Sequence, residues 1–388
     1  MVLPIIKEVK NLLSFAKTSL KSKGGFRHLQ GYISGIIALG KKTVKKITEE
    51  IIGENNQSSM NRVLSKAAFD KKKLEKRYLK KIKYLFKNSK VTLVFDDTIV
   101  ERNGKDVERS QYHHDHSQDR KVKGHQYFTA ILHTPLLQLP IFPELYYSGS
   151  KTKVEMANDL IERLKRSSLK VDTVLFDSWY SDAELINKCK KYLKAKVVCG
   201  IKTNRNIRFR RSNKAWKLSF ITDRIPLKDK KGLKIDQEIY RITSYKIHLT
   251  KVFDVQLLVS EKYNEDEKTW SKIHLISTSQ NDSPKEIILT YKTRWCIETY
   301  HRDIKQNLGF ASAYFRKESG IVSHAIFVAI SYAILKLYMS RKGFVMTIGE
   351  CCEYLRDKNI NGIIREIVKI NDDSDRNRRF EEVFISKS

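Results

Sequence analysis

Cysteine is scarce in this 388-residue chain and badly placed for chemistry. The five cysteines (Cys189, Cys199, Cys296, Cys351 and Cys352) form no CxxC pair and no Cys/His pattern with zinc-ligand spacing. Adjacent Cys351 and Cys352 are a poor geometric pair for a bridge. A disulfide framework and a zinc site are thereby excluded as organising features, and a reduced, cytoplasmic protein is expected. The opening MVLPIIKEVK lacks the charged segment, apolar run and small-residue cleavage site of a secretory leader. The most apolar stretch, residues 321–339, contains His324 and Lys336 and reads as a buried helix rather than a membrane span. A lipidation signal and a basic amphipathic anchor are also missing, which argues against a membrane partner. Internal repeats and low-complexity segments are absent.

Negative charge is the largest deficit. Asp and Glu number 44 against 75 Lys and Arg, for a formal net charge of +31. That excess goes far beyond what solubility requires and implies a polyanionic partner. The basic residues are spread from Lys7 to Lys387, so several parts of the chain would have to meet phosphates. Nucleic acid fits such a partner better than a membrane does.

Residues 1–90 carry helical patterning with turn signals at Gly24 and Gly25, at Gly40 to Lys42 and in GENNQSS at 53–59. LQGYISGIIAL followed by TVKKITEEII, with Thr43 as N-cap, fits a helix-turn-helix; it fits a helical bundle with basic surfaces equally. A helical DNA-binding module is expected here. From residue 91 the texture changes to short β-branched runs (VTLVF, YFTAILHTPLLQLPIF, VDTVLFD, KVVCGIK) alternating with helical KVEMANDLIERLKR and DAELINKCKKYL. That alternation indicates an α/β core, its first part spanning 91–202. Residues 203–282 read as a β-rich insertion, 283–345 as the second part of the core and 346–388 as a helical tail that suits a dimer contact or a domain cap equally well.

Asp96 and Asp97 follow VTLVF, and Asp177 follows VDTVLF. Reacting groups in α/β sheets gather at the carboxyl ends of strands, although Asp also favours turns and caps. A helix is predicted from Ser283 and Pro284, an N-cap and first-turn pair, to Gly309. Advancing about 100° per residue from Tyr291, its residues Arg294, Glu298, Arg302 and Lys305 form one polar ridge. Leu289, Cys296, Ile297, Tyr300 and Ile304 form the opposite, apolar arc. Taken alone, such a ridge is most often a solvated face.

The string YKTRWCIETYHRDIKQNLGF, with Tyr291-x2-Arg294-x3-Glu298-x6-Lys305, resembles the Tyr/Arg/Glu/Lys signature of bacterial DDE transposases of the "insertion sequence four" group. FDDT, FDSWYSD and the earlier NRVLSKAAFDKKKLEKR stand in the family's order, so the resemblance covers about residues 30–340. It implies a ribonuclease-H-like catalytic core with Asp96, Asp177 and Glu298 as the catalytic and metal-holding triad. Asp97 is the alternative first acid. It also implies that Tyr291, Arg294 and Lys305 hold the DNA near the cut, that the substrates are double-stranded DNA, transposon ends and target, and that the protein works in the bacterial cytoplasm, associated with the nucleoid. Three carboxylates suit two Mg2+ (or Mn2+) ions, because hard cations prefer oxygen and two-metal sites stabilise both attacking and leaving oxygens of a phosphodiester. Joining two ends calls for a homodimer in the synaptic complex. The rivals are an idle DNA-binding descendant and a structure-specific nuclease with the same core.

Smaller features are read more plainly. HHDHSQDR at 113–120 lacks zinc-ligand spacing and is expected as a polar loop. His125 receives no chemical role. Trp295 could stack a base, but packing is favoured for an aromatic on a core-facing helix, and Trp216 and Trp270 could either stack on distorted bases or anchor a β module.

Overall fold

Five helices precede the first strand: α1 (Lys7–Leu12), α2 (Lys23–Ala38), α3 (Val44–Glu50), α4 (Gln57–Ser65) and α5 (Lys71–Leu85). Short polar side chains start three of them, with Ser22, Thr43 and Asp70 accepting the backbone N–H of Gly25, Lys46 and Lys73. Thr43 therefore caps as its sequence context predicts. In this computed structural model, which describes residues 3–51, 56–65, 69–102, 104–115, 119–209, 214–252, 254–312 and 314–385, α2 and α3 pack closely. A Cβ on Gly35 would meet the Ile47 side chain at 2.5 Å. The sequence feature at 53–55 lies outside the described residues.

The chain then forms β1 (Thr92–Glu101), β2 (Gln111–Asp115), β3 (Arg120–His133), β4 (Gln138–Tyr146), α6 (Lys153–Ser167), β5 (Thr173–Phe176), α7 (Ala183–Lys188) and β6 (Lys196–Gly200). There follow β7 (Asn206–Phe209), β8 (Trp216–Lys217), α8 (Leu218–Thr222), β9 (Lys231–Ile235), β10 (Glu238–Leu249), β11 (Asp254–Asn264) and β12 (Thr269–Ser277). All the described strands join one mixed sheet in the order β2-β3-β1-β5-β6-β12-β11-β10-β7-β8, with β4 also on β3 and β9 also on β10. β1, β5 and β6 are parallel, and the other pairings are antiparallel. This large mixed sheet with flanking helices agrees with a ribonuclease-H-like α/β fold.

Three readings change here. β1 does not stop before Asp96: it runs through both acids to Glu101, because β3 pairs with it along its whole length. Only its pairing with β5 ends early, at Val94 opposite Leu175. His113–Asp115 are part of a hairpin rather than a loop, since β2 pairs antiparallel with Arg120–Gly124; residues 116–118 of that motif lie outside the described residues. The strands of 203–282 continue the core sheet, because β12 hydrogen-bonds to β6.

The C-terminal third is helical: α9 (Pro284–Lys292), α10 (Trp295–Gln306), α11 (Glu318–Lys342), α12 (Ile348–Val368) and α13 (Asp373–Phe380). α11 is long and apolar enough to cross a bilayer, yet 89% of its most apolar window is buried inside the fold, so it serves as a core helix. Its His324 accepts or donates at Nδ1 to the Tyr32 hydroxyl of α2 (2.8 Å) and meets the Gly309 carbonyl at Nε2 (3.0 Å). Tyr78 of α5 donates to the Pro140 carbonyl of β4. The N-terminal helices thus share one hydrophobic cluster with the sheet and α11. All five cysteines are buried and free.

Candidate active site

The backbone brings Asp96 and Asp177 side by side. Val94 and Leu175 are the last paired residues of the parallel strands β1 and β5, and each Asp stands two residues beyond. The residues just before them, Phe95 and Phe176, stack at 5.0 Å and are fully buried, with Tyr180 edge-on to Phe95 at 5.2 Å. Burying each such ring stabilises the strand ends by about 1.5–3 kcal/mol. The floor beneath the two carboxylates is therefore rigid. Asp177 additionally caps a short 3-10 turn, Ser178–Tyr180, accepting the Trp179 N–H at 2.9 Å.

Glu298 arrives from the other side, on α10. The predicted helix from Ser283 is broken at Thr293 and Arg294, where Thr293 and Arg294 donate to the carbonyls three residues back rather than four. This tight turn rotates the buried face. Before it, Ile287 and Ile288 are buried and Leu289 is 42% exposed; after it, Cys296, Ile297, Tyr300 and Ile304 are buried. Leu289 is thus not part of the packed arc that an unbroken helix predicts. The helix stops at Gln306, and Gly309 takes a left-handed φ of +67° shortly beyond. Arg294 sits at the break and reaches back, Nη1 donating to Asp96 Oδ2 at 3.2 Å and Nη2 pairing with Glu298. Asp96 and Glu298 are tied through one guanidinium.

Asp97 points the opposite way, as alternation along a strand requires. Its Oδ1 accepts from Lys153 Nζ and from the Tyr180 hydroxyl, both at 3.1 Å, and its Oδ2 accepts from Gln126. Asp97 is saturated by the protein; Asp96 faces Asp177 and Arg294.

The electrostatics separate the groups further. Burial, then the neighbouring Asp177 and Asp97 charges, push Asp96 up to about 7, against the pull of Arg294 and the Asp97 N–H. Burial likewise raises Asp177, opposed by the Trp179 N–H and reinforced by Asp97. Burial works against the Arg294 charge, but Tyr291, Asp96 and Glu298 together hold its pKa above the ordinary value. Tyr291 is half-buried beneath this cluster, pushed up to about 12 mainly by burial, with the Arg294 guanidinium 5.7 Å over its ring. Lys305 lies apart from the three acids. Burial lowers its pKa and Asp115 of β2 raises it.

Two contributors escape the sequence reading. Thr129 of β3 donates to the Asp96 carbonyl at 3.0 Å and meets His301 Nε2 at 2.7 Å. Because the hydroxyl hydrogen is spent on the carbonyl, His301 is the donor to Thr129. Burial, then Lys305 and Arg294, lower His301 to about 3, so it stays neutral. This relay joins α10 to the strand of Asp96. The second contributor is Trp179, half-exposed beside Asp177 with Lys153 and Lys202 at 4.7 and 4.4 Å over its ring. HRDIKQ and FDSWYSD contain both residues, yet nothing in spacing alone assigns them partners.

The lesser features resolve locally. Gly124 lets β3 approach β1, since a Cβ there would meet the Val100 carbonyl oxygen at 2.1 Å. Neighbouring His125 is buried and donates from Nε2 to the Glu108 carbonyl at 2.9 Å. Trp216 stacks on Phe220 at 5.0 Å, and Trp270 packs against Tyr263 with Arg241 over its ring. Trp295, expected to pack, is 62% exposed, because the break at Arg294 turns it off the buried face.

Three carboxylates in one neighbourhood are a hard-oxygen donor set, and the burial and the neighbouring Asp177 and Asp97 charges that raise Asp96 are what a cation would offset. The residues fit Mg2+ or Mn2+ in chemistry. Among the described residues no three His, Cys, Asp or Glu side chains yet converge closely enough to share one ion. Arg294 supplies the positive charge between Asp96 and Glu298 instead.

Residues 18–218 match the family described as "DDE superfamily endonuclease", and residues 146–344 match the family described as "Archaeal putative transposase ISC1217". The first span contains Asp96 and Asp177, and the second contains Asp177 and Glu298. No curated protein matches the chain.

Proposed function

From the premise that this chain belongs to the DDE superfamily of transposase-type endonucleases, we propose that it binds the terminal inverted repeats of an insertion sequence and catalyses strand cleavage and strand transfer there. Asp96, Asp177 and Glu298 are its acidic triad. The observation that carries this reading is that Asp96 and Asp177 each stand two residues beyond Val94 and Leu175, the last parallel pair of β1 and β5, with Glu298 linked to Asp96 through Arg294. Assignment to the "insertion sequence four" group rests on the Tyr291, Arg294, Glu298 and Lys305 spacing.

In the mechanism, Asp96, Asp177 and Glu298 would hold divalent ions, and the chemistry such ions would supply is Lewis-acid activation of the attacking oxygen and stabilisation of the leaving one. The protein's own residues orient and neutralise. Arg294 presents a planar fork that suits phosphate oxygens as well as carboxylates, so it can serve the acids before DNA arrives and the scissile phosphate afterwards. Tyr291 supports that guanidinium from below. Lys305 meets the strand further along α10, and Lys153, fixed by Asp97, and Lys202, held over Trp179, add positive charge at the Asp177 side. Two ends held for joining call for a homodimer on DNA.

The test incubates the full chain with DNA carrying the ends of its element, in Mg2+ and in Mn2+, beside Asp177→Ala and Glu298→Ala. Cleaved and joined products from wild type alone are expected, with DNA binding retained by both variants. Binding without any cutting in either metal would defeat the enzyme reading, and cleavage without joined products would reduce the function to that of a nuclease.

A further inference from the structure

A surface lysine normally samples many rotamers with its head in water, because ordering the long side chain costs entropy. Two lysines at the Asp177 end of the sheet are held instead. Lys202 Nζ lies 4.4 Å and Lys153 Nζ 4.7 Å from the ring centre of Trp179. The backbone brings all three together. Trp179 donates its N–H to the Asp177 carboxylate, which fixes the turn Ser178–Tyr180. β6 ends at Gly200 against that same turn, where a Cβ would meet the Ser178 nitrogen at 2.9 Å, and Lys202 stands two residues beyond. Lys153 comes from the first turn of α6.

The charges of the pair are not balanced. Lys153 has a side chain only 14% exposed and pairs with Asp97, whose oxygens are also taken by Tyr180 and Gln126. Lys202 is exposed, and among the described residues it forms no ion pair. Two ammoniums on one ring repel each other, and the negative face of the indole offsets only part of that repulsion. An anion would relieve the rest. Free phosphate at this place would also meet the carboxylates of Asp96 and Asp177, whereas a phosphate carried by a DNA strand is delivered by contacts made elsewhere along the duplex. With Arg294 serving the scissile phosphate between Asp96 and Glu298, the lysines beside Asp177 are placed for a different one.

We infer that Lys202, held over Trp179 beside Lys153, binds a DNA phosphate other than the scissile one, and that Trp179 is the positioning residue that orders this lysine before DNA arrives. This rests on the transposase reading, and the two can fail separately. One charged contact of this kind corresponds to on the order of 10-fold in affinity.

The experiment uses the full chain in EDTA with duplexes carrying the element's ends, in which one phosphate at a time near the cleavage site is replaced by an uncharged methylphosphonate. Wild type is expected to lose on the order of 10-fold in affinity at each phosphate it holds through a charged side chain. In Lys202→Met and in Trp179→Leu the penalty at one and the same position should largely disappear while that at the scissile phosphate remains. Trp179→Phe, which keeps an aromatic face for the ammonium, should retain most of it. An unchanged melting midpoint in Lys202→Met, as expected at an exposed side chain, separates this from misfolding. Excess inorganic phosphate should leave the pattern intact. A pattern in Lys202→Met identical to that of wild type would overturn the site, and erasure of the penalty by inorganic phosphate would make it a site for a free anion. A penalty lost in Lys202→Met but kept in Trp179→Leu would overturn the positioning role of Trp179. Wild type that binds none of the duplexes would overturn the DNA reading itself.

Discussion

The two sides of β1 at Asp96 and Asp97 use the same side chain for opposite ends. On one side Asp97 meets Lys153, Tyr180 and Gln126, so its negative charge is compensated and its oxygens are taken. On the other, Asp96 faces Asp177 across the strand ends and shares Arg294 with Glu298, and its charge is only partly compensated. Adjacent residues on one strand thus become a structural strut and a candidate ligand. The difference comes from which helices cover each face, α6 on one and the α9–α10 break on the other, rather than from any property of aspartate.

Substitution at the two positions gives the largest expected contrast. Asp96→Asn should cut cleavage by ~10³-fold, since a metal clamp contributes several kcal/mol to the transition state. Asp97→Asn should instead lower stability by about 1.5–3 kcal/mol through its charged hydrogen bonds, with a smaller loss of activity. Paired cleavage assays and thermal melts read both, and the reverse pattern would make Asp97 the first acid.

Removing the shared cation comes next. Arg294→Gln frees Asp96 and Glu298, so Mn2+ binding without DNA, followed by electron paramagnetic resonance, should tighten by ~10-fold, the worth of one charged pair. Cleavage should nevertheless fall further than non-specific DNA binding does. Equal losses in cleavage and binding would remove the special role of Arg294.

A smaller effect follows from pH. The folded pKa of Asp96 lies above its ordinary value, so its contribution to the metal-free fold is complete below about pH 4 and is lost as pH rises through about 7. Asp96→Asn removes this loss, and its melting temperature relative to wild type should climb between pH 5 and pH 8. A flat difference would mean that Asp96 is already compensated like Asp97. The smallest change is at the relay: Thr129→Val should cost about 1 kcal/mol and reduce cleavage modestly, whereas Thr129→Ser should preserve both.

Local chemistry made much of the architecture readable in advance. Caps at Thr43 and Ser283, the strand ending at Phe176, and the buried character of 321–339 all follow from residue type and spacing. What escaped was decided by distant partners. β1 continues past Asp97 because β3 pairs with it; His113–Asp115 join a strand for the same reason; and the break at Arg294 reverses which face is buried, exposing Leu289 and Trp295. The choice between Asp96 and Asp97 was a matter of two adjacent identical residues, and only the covering helices distinguish them. His301 and Thr129 are 172 positions apart, so no local pattern could pair them.

The antiparallel seam between β6 and β12 has one more use. Gly200 and Leu275 are neighbours across it, so the stretch that extends the sheet through β7 to β11 begins and ends at nearly the same place. Segments with pinned ends change length at little entropic expense. The hairpin tip at 265–268 can therefore be lengthened, trimmed or exchanged with that of a relative without shifting β1, β5 or α10. It is the natural graft point for changing the surface of the chain while leaving the acidic cluster untouched.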